Sequence, residues 1–233
     1  MSRYFLLVAG LLLFSCNRHR SIPDHNLVYL QIGDSITAGE KNTPGHTPGD
    51  YATQALGATT FIKLGWRGEN IKQFTVAHRQ QLLDSLASIP DGHRIVLGIA
   101  YGANDLNVNT KEQALANIVR VARWAHDTAH VAQVLIVPCL NRTDKWGFTR
   151  EADGSESHHF NESRLWLNKQ LHSQAAAWPW ARVANESDSP AMYADDYPAD
   201  KKRCADEVHP NDFGAQELGT GTIAHGIARF KLK

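Results

Sequence analysis

The chain has 233 residues, 42% of them hydrophobic and 21% charged, with a formal net charge of zero. That length and balance suit one globular domain, with no internal repeat or low-complexity tract. There is no basic excess to neutralise phosphates, so nucleic acid is excluded as the principal partner.

The first element is apolar. Arg3 precedes an apolar run from Tyr4 to Phe14. The run is too short to span a bilayer comfortably but suits the core of a secretory signal. It ends Leu13-Phe14-Ser15-Cys16, which resembles a bacterial lipobox. Residues 1–15 are then expected to be a signal peptide that is removed. Cys16 is expected to carry lipid, residues 16–25 to form a tether, and residues 26–233 to fold. An ordinary signal peptide with an incidental Cys is the alternative. The expected location is the bacterial cell envelope, lipid-anchored and facing the periplasm or the outer surface, with the membrane as a partner.

Apolar runs then alternate with helical patterns. The runs are Leu27–Ile32, Thr59–Leu64, Arg94–Ala100, Gln133–Pro138 and Trp180–Ala184. They are short and rich in Val, Ile and Leu without strict alternation, as in strands buried on both faces of a parallel sheet. Helices are predicted over Gly68–Ala87, Lys111–His126, Asn161–Ala177 and Asp212–Phe230. The second follows a Thr110-Lys-Glu-Gln113 capping box. Strand and helix in alternation imply an open α/β sheet with right-handed crossovers. Two long polar stretches, Asn141–Phe160 and Asn185–Pro210, follow strand ends. In such sheets ligands bind at the carboxyl ends of the strands.

Four short stretches carry chemistry. Gly33-Asp34-Ser35 ends the first strand run, and Ser35 is a candidate nucleophile; Asp34 reads as a turn former. Asp206 precedes His209 by three residues, a spacing that lets a carboxylate orient an imidazole in a tight loop. Gly68 allows close backbone approach beside a helix start, and Asn104 could donate a side-chain hydrogen bond into the same crevice. Each alone also reads as an ordinary turn or cap. There is no G-x-S-x-G elbow, no H-E-x-x-H or paired Cys-x-x-Cys, and no G-x-G-x-x-G after the first strand. No metal and no cofactor are expected.

Taken in order, the four stretches resemble the blocks of the SGNH (GDSL-like) hydrolase family. Gly33-Asp34-Ser35, Gly68 within Arg67-Gly68-Glu69-Asn70, Gly102-Ala103-Asn104-Asp105 and Asp206-Glu207-Val208-His209-Pro210 match them. The second block departs from the Ser-Gly-Asp-Thr common in the family, and Ile36-Thr37 departs after the first. The resemblance implies a flavodoxin-like three-layer α/β/α sandwich with a five-stranded parallel sheet. It implies a catalytic triad of Ser35, Asp206 and His209. It also implies an oxyanion hole made by the Ser35 and Gly68 N–H groups and the Asn104 side chain.

The implied activity is ester hydrolysis through an acyl-enzyme. The expected substrate is a small-molecule or glycan ester, with carbohydrate O-acetyl groups first. A lysophospholipase or thioesterase for longer acyl chains is the runner-up, and a non-catalytic glycan-binding lipoprotein is the alternative of another class. Trp146 and Phe148 are candidate substrate-stacking residues in the first long loop. Cys139 and Cys204 both follow strand or loop positions near the expected site. A disulfide between them would tether the loop that carries His209. Two separate thiols are the alternative.

Overall fold

The strand Leu27–Gly33 (β1) is buried at every position, so both of its faces need a cover. In this computed structural model, which describes residues 26–58, 60–143 and 147–230, both faces have one. The expected signal peptide, Cys16, the expected tether up to residue 25 and Trp146 lie outside the described residues. In chain order the remaining strands are β2 (Thr60–Gly65), β3 (Arg94–Ala100), β4 (Gln133–Ile136), β5 (Thr149–Arg150), β6 (Glu156–Ser157) and β7 (Ala181–Val183). β5 and β6 form a small antiparallel hairpin inside the first long loop. The other five strands form one parallel sheet in the order β2-β1-β3-β4-β7.

The helices are α1 (Ser35–Ala38), α2 (Pro48–Leu56), α3 (Ile71–Ala77), α4 (Arg79–Ala87), α5 (Ala103–Val108), α6 (Lys111–Asp127), α7 (Phe160–Ala175), α8 (Pro190–Tyr193), α9 (Asp212–Glu217) and α10 (Ala224–Ala228). They make the two covering layers. Leu30, Ile32, Leu97, Ile99 and Ile136 point to a core that takes in Phe74 of α3, Ile118 of α6 and Leu171 of α7. Leu27, Tyr29, Val96 and Leu135 point the other way, to Ala52 of α2, Met192 of α8 and Ile227 of α10. This period of two along each strand divides the interior into two cores. The fold is the three-layer α/β/α sandwich with a five-stranded parallel sheet.

The sheet order reverses between β1 and β3, and an open α/β sheet binds ligands at such a point. Register levels the strand ends there. Gly33 pairs with Gly65 on one side and with Ala100 on the other. The turns that follow β1, β2 and β3 therefore leave the sheet at one height. Gly33 also has to be glycine: a Cβ there would stand 2.0 Å from Thr37 Oγ1 and 2.8 Å from the Ala100 carbonyl oxygen. That close approach lets α1 fold back onto the sheet edge. Beneath it runs a buried polar chain. The Tyr29 hydroxyl donates to Gln31 Oε1 at 3.0 Å, and Gln31 Nε2 donates to Thr37 Oγ1 at 2.8 Å.

Several bounds differ from expectation. The segment expected as one helix over Gly68–Ala87 is two, broken at His78. That ring stacks on Trp66 with centroids 4.1 Å apart and contacts Glu69 at 3.0 Å. α2 is absent from the sequence reading. It starts at Pro48 with a reciprocal capping box between Thr47 and Asp50. The closing helix is α9 and α10 joined by a π-helical stretch, Leu218–Ile223. The Thr110–Gln113 capping box is present as expected.

A disulfide between Cys139 and Cys204 is not formed; both are free and buried. Cys139 packs in the core shared with Leu30, whereas Cys204 packs in the core shared with Leu27. Each sulfur also donates locally, Cys139 Sγ to the Leu140 carbonyl at 3.4 Å and Cys204 Sγ to the His209 carbonyl at 3.3 Å.

Candidate active site

Ser35 is the first residue of α1, at the carboxyl end of β1. Asp34 caps that turn by accepting from the Ile36 N–H at 3.0 Å, the turn-forming role expected of it. Burial pushes the Asp34 carboxyl above its ordinary value, against the pull of Arg142, the Ile36 N–H and His209.

His209 Nε2 lies 2.9 Å from Ser35 Oγ. Its Nδ1 lies 3.0 Å from Asp206 Oδ2 and 3.1 Å from Oδ1. The loop between these two residues is tight for a local reason. Asp206 Oδ1 also accepts from the Val208 and His209 backbone N–H groups, both at 2.8 Å. Burial raises the Asp206 carboxyl, but these hydrogen bonds outweigh it and hold the group below the usual carboxylate range. An antiparallel bridge between Cys204 and Pro210 closes the loop, with the Ala205 N–H on the His209 carbonyl at 2.8 Å. This bridge supplies the tether that a disulfide would have given.

A second tie joins the nucleophile's segment to the base's. The Thr43 hydroxyl donates to Asp212 Oδ2 at 2.6 Å and its N–H to Oδ1 at 2.8 Å. Asn42 Nδ2 donates to the Pro210 carbonyl at 3.1 Å. The chain just after α1 is thus fixed to the chain just after His209.

Three donors face the same space. Ser35 and Gly68 each present a backbone N–H for which no acceptor is found among the described residues. Gly68 has φ +72°, a left-handed conformation that favours glycine. Asn104 Nδ2 donates to the Glu69 carbonyl at 2.9 Å, which leaves its second N–H. Arg142 Nη2 donates to Asn104 Oδ1 at 2.9 Å. An Arg only donates and a carbonyl only accepts, so these two partners fix the amide in one orientation. Ser35, Gly68, Asn104, Arg142, Asp206 and His209 all line one pocket of about 630 Å³. Glu40, Lys41, Glu207 and Val208 complete its wall. Glu40 Oε2 approaches His209 Nε2 to 3.7 Å.

Asp105 steadies the Gly68 loop from behind. It is wholly buried, and its Oδ1 accepts from the Ile71 N–H at 3.1 Å. Burial pushes its carboxyl up; the Ile71 N–H opposes this and Asp34 adds to it, and the outcome is about 7. The unfolded carboxyl ionises near 3.8, so between that pH and about 7 the unfolded chain loses a proton the folded chain keeps. Stability falls as pH rises through that window. Asp105→Asn retains the acceptor for Ile71 and removes the titration. Melting temperatures of this variant between about pH 4 and pH 7 are expected to slope less steeply than the parent's. Parallel slopes would contradict this.

Not every expected residue is at the site. Phe148 is half-buried and does not line the pocket. Arg142 falls in the first long loop, and nothing in its sequence neighbourhood marks it as Asn104's partner. Glu40 and Glu207 are missed in the same way, although Glu40 follows the first matched block and Glu207 lies inside the last. Among the described residues, no cluster of three or more His, Cys, Asp or Glu is placed to hold a metal ion.

The profile of the GDSL-like Lipase/Acylhydrolase family matches residues 32–217, which is most of the chain and includes every residue of the constellation. The chain belongs to this family. It is a carboxylic ester hydrolase. No curated protein matches its sequence significantly. Solved structures share the fold at low identity. A member of the lipolytic protein G-D-S-L family from Veillonella parvula is 17% identical, with a TM-score of 0.59 over 83% of this chain and 94% of its own. A GDSL-like lipase from Bacteroides thetaiotaomicron is also 17% identical, with a TM-score of 0.59 over 90% of this chain and 91% of its own. A two-domain esterase active on acetylated mannans is 17% identical, with a TM-score of 0.57 over 89% of this chain but 50% of its own.

Proposed function

We propose that this hydrolase removes short O-acyl groups, acetyl above all, from carbohydrates at the bacterial cell envelope. In this scheme His209 Nε2 takes the Ser35 proton as Oγ attacks the ester carbonyl. Asp206 holds the imidazole through Nδ1 and stabilises its charged form. The Ser35 and Gly68 N–H groups and Asn104 Nδ2 receive the oxyanion. Collapse of the intermediate expels the alcohol, which takes the proton from His209 and leaves an acyl group on Ser35. His209 then deprotonates a water that attacks the acyl-enzyme; the second intermediate collapses, His209 returns the proton to Ser35 Oγ, and the acid departs.

The observation that carries the short-acyl preference is the pocket wall. Its side chains are charged or polar except for Val208 and the glycine. A longer chain gains about 0.8 kcal/mol per methylene only where apolar surface buries it. The apolar cavity beneath α1, lined by Ile36, Pro48, Leu140, Leu218 and Ile223, has a volume of about 30 Å³. That holds about one or two waters, not an acyl tail. The neighbour active on acetylated mannans lends support to an acetyl sugar ester. The lipobox-like stretch ending at Cys16 supports a lipid-anchored location in the envelope.

The test is a series of nitrophenyl esters. kcat/KM is expected to be greatest for acetate and to fall at least about tenfold by octanoate, since Val208 is the one aliphatic side chain that the described residues bring to the wall. A rate that rises with chain length would replace this reading with the lysophospholipase or thioesterase alternative.

A further inference from the structure

A second pocket opens beside the catalytic one, and Arg142 lines both. It has a volume of about 370 Å³. Its wall is built by Asn141 and Thr143 after β4, Asn161 in the first turn of α7, and Asp195 and Asp196 after α8. Ala199 stands exposed at its rim. Thr143 also reaches back to the catalytic pocket, where its hydroxyl donates to Glu207 Oε2 at 3.3 Å. The two pockets are therefore contiguous.

The polar groups here are not all satisfied. Asn141 is 5% exposed, and its Nδ2 donates to the Asp195 carbonyl at 2.8 Å. That carbonyl only accepts, so the amide orientation is fixed. Asn141 Oδ1 is then a buried acceptor with no partner among the described residues. A buried acceptor of this kind calls for a donor from a ligand or water. Asp195 accepts through Oδ1 from Asn161 Nδ2 at 2.8 Å, yet its side chain is 77% exposed. Arg164 Nη2 lies 3.5 Å from the same Oδ1, so Asp195 and Asp196 stand against two guanidiniums, Arg164 and Arg142, and the wall is rich in acceptors without an excess of charge. Such a wall offers phosphate or carboxylate no cationic excess. It suits a neutral ligand that presents many hydroxyl donors.

We propose that this pocket is a subsite for a sugar unit next to the one that bears the ester. The preferred substrate is then an acylated oligosaccharide or polysaccharide rather than an acylated monosaccharide. This rests on the carbohydrate-ester reading above. Binding a remote sugar raises kcat/KM without altering the chemistry at Ser35.

The experiment compares nitrophenyl acetate, mono-O-acetylated mannose and xylose, and chemically acetylated mannotriose and xylotriose. The parent enzyme is expected to favour at least one trimer over its monomer by about tenfold or more in kcat/KM. Ala199→Trp places a ring across the rim and is expected to bring that ratio to about one. Asp196→Ala is expected to lower the ratio about threefold, with nitrophenyl acetate turnover unchanged in both variants. Equal rates on trimers and monomers by the parent would overturn the subsite, as would a trimer preference that survives Ala199→Trp. Turnover of nitrophenyl acetate with none of any acetylated sugar would overturn the sugar ligand while sparing the esterase. No turnover of nitrophenyl acetate would fell the esterase scheme, and the subsite with it.

Discussion

Ser35→Ala is expected to lower kcat on an acetyl ester by roughly 10⁶-fold, with KM little changed. The hydroxyl stands 2.9 Å from an imidazole already held by a carboxylate. Without it no acyl-enzyme forms, and the oxyanion donors act on nothing. His209→Ala is expected to cost about as much, and the double variant hardly more, because the two side chains act as one unit. Initial-rate kinetics read this directly. Losses that multiply in the double variant would show that the two residues work apart. Folding is expected to be intact in Ser35→Ala, since α1 is held by the Asp34 cap and by Thr37 on Gln31.

Asn104→Ala is the second large effect, a loss on the order of 10²–10³ in kcat. The amide is held from both sides, by the Glu69 carbonyl and by Arg142. Arg142→Met removes the donor that fixes Asn104 Oδ1, and the amide gains the freedom to turn its oxygen toward the oxyanion. The expected loss is about tenfold or more in kcat, with partial recovery in Arg142→Lys. Arg142 acts here as a positioning residue, so a double-mutant cycle is the informative measurement. In the Asn104→Ala background, Arg142→Met is expected to cost little further. A full, independent loss in that background would mean that Arg142 serves the reaction by another route. Arg142 also offsets the buried Asp34 charge, so a lower melting temperature is expected in Arg142→Met.

The parts of this molecule that read from sequence are those whose physics is local. β1, β3 and β4 appear as apolar runs because both of their faces are covered, so no polar alternation interrupts them. The four blocks keep their chemistry within a few residues each: Asp34 caps its own turn, and Asp206 binds the N–H groups two and three residues on. What escapes is what only the fold assembles. Arg142 and Asn104 are joined across the sheet edge by segments 38 residues apart. Thr43 finds Asp212 over 169 residues. The break at His78 depends on a stack against Trp66, which no helical periodicity records. The pairing of the cysteines stays open in the sequence for a related reason. Both lie near the carboxyl edge, but the sequence does not say which core each enters, and they enter different ones.

The most direct measurement is covalent. A fluorophosphonate phosphonylates a serine only where a base activates it and donors hold the oxyanion. Intact mass and peptide mapping of the treated protein are expected to give one adduct, on the peptide that contains Ser35, at a rate that falls steeply in His209→Ala and Asn104→Ala. An adduct on another serine, or none at all in the folded parent protein, would contradict the assignment of Ser35 as the nucleophile.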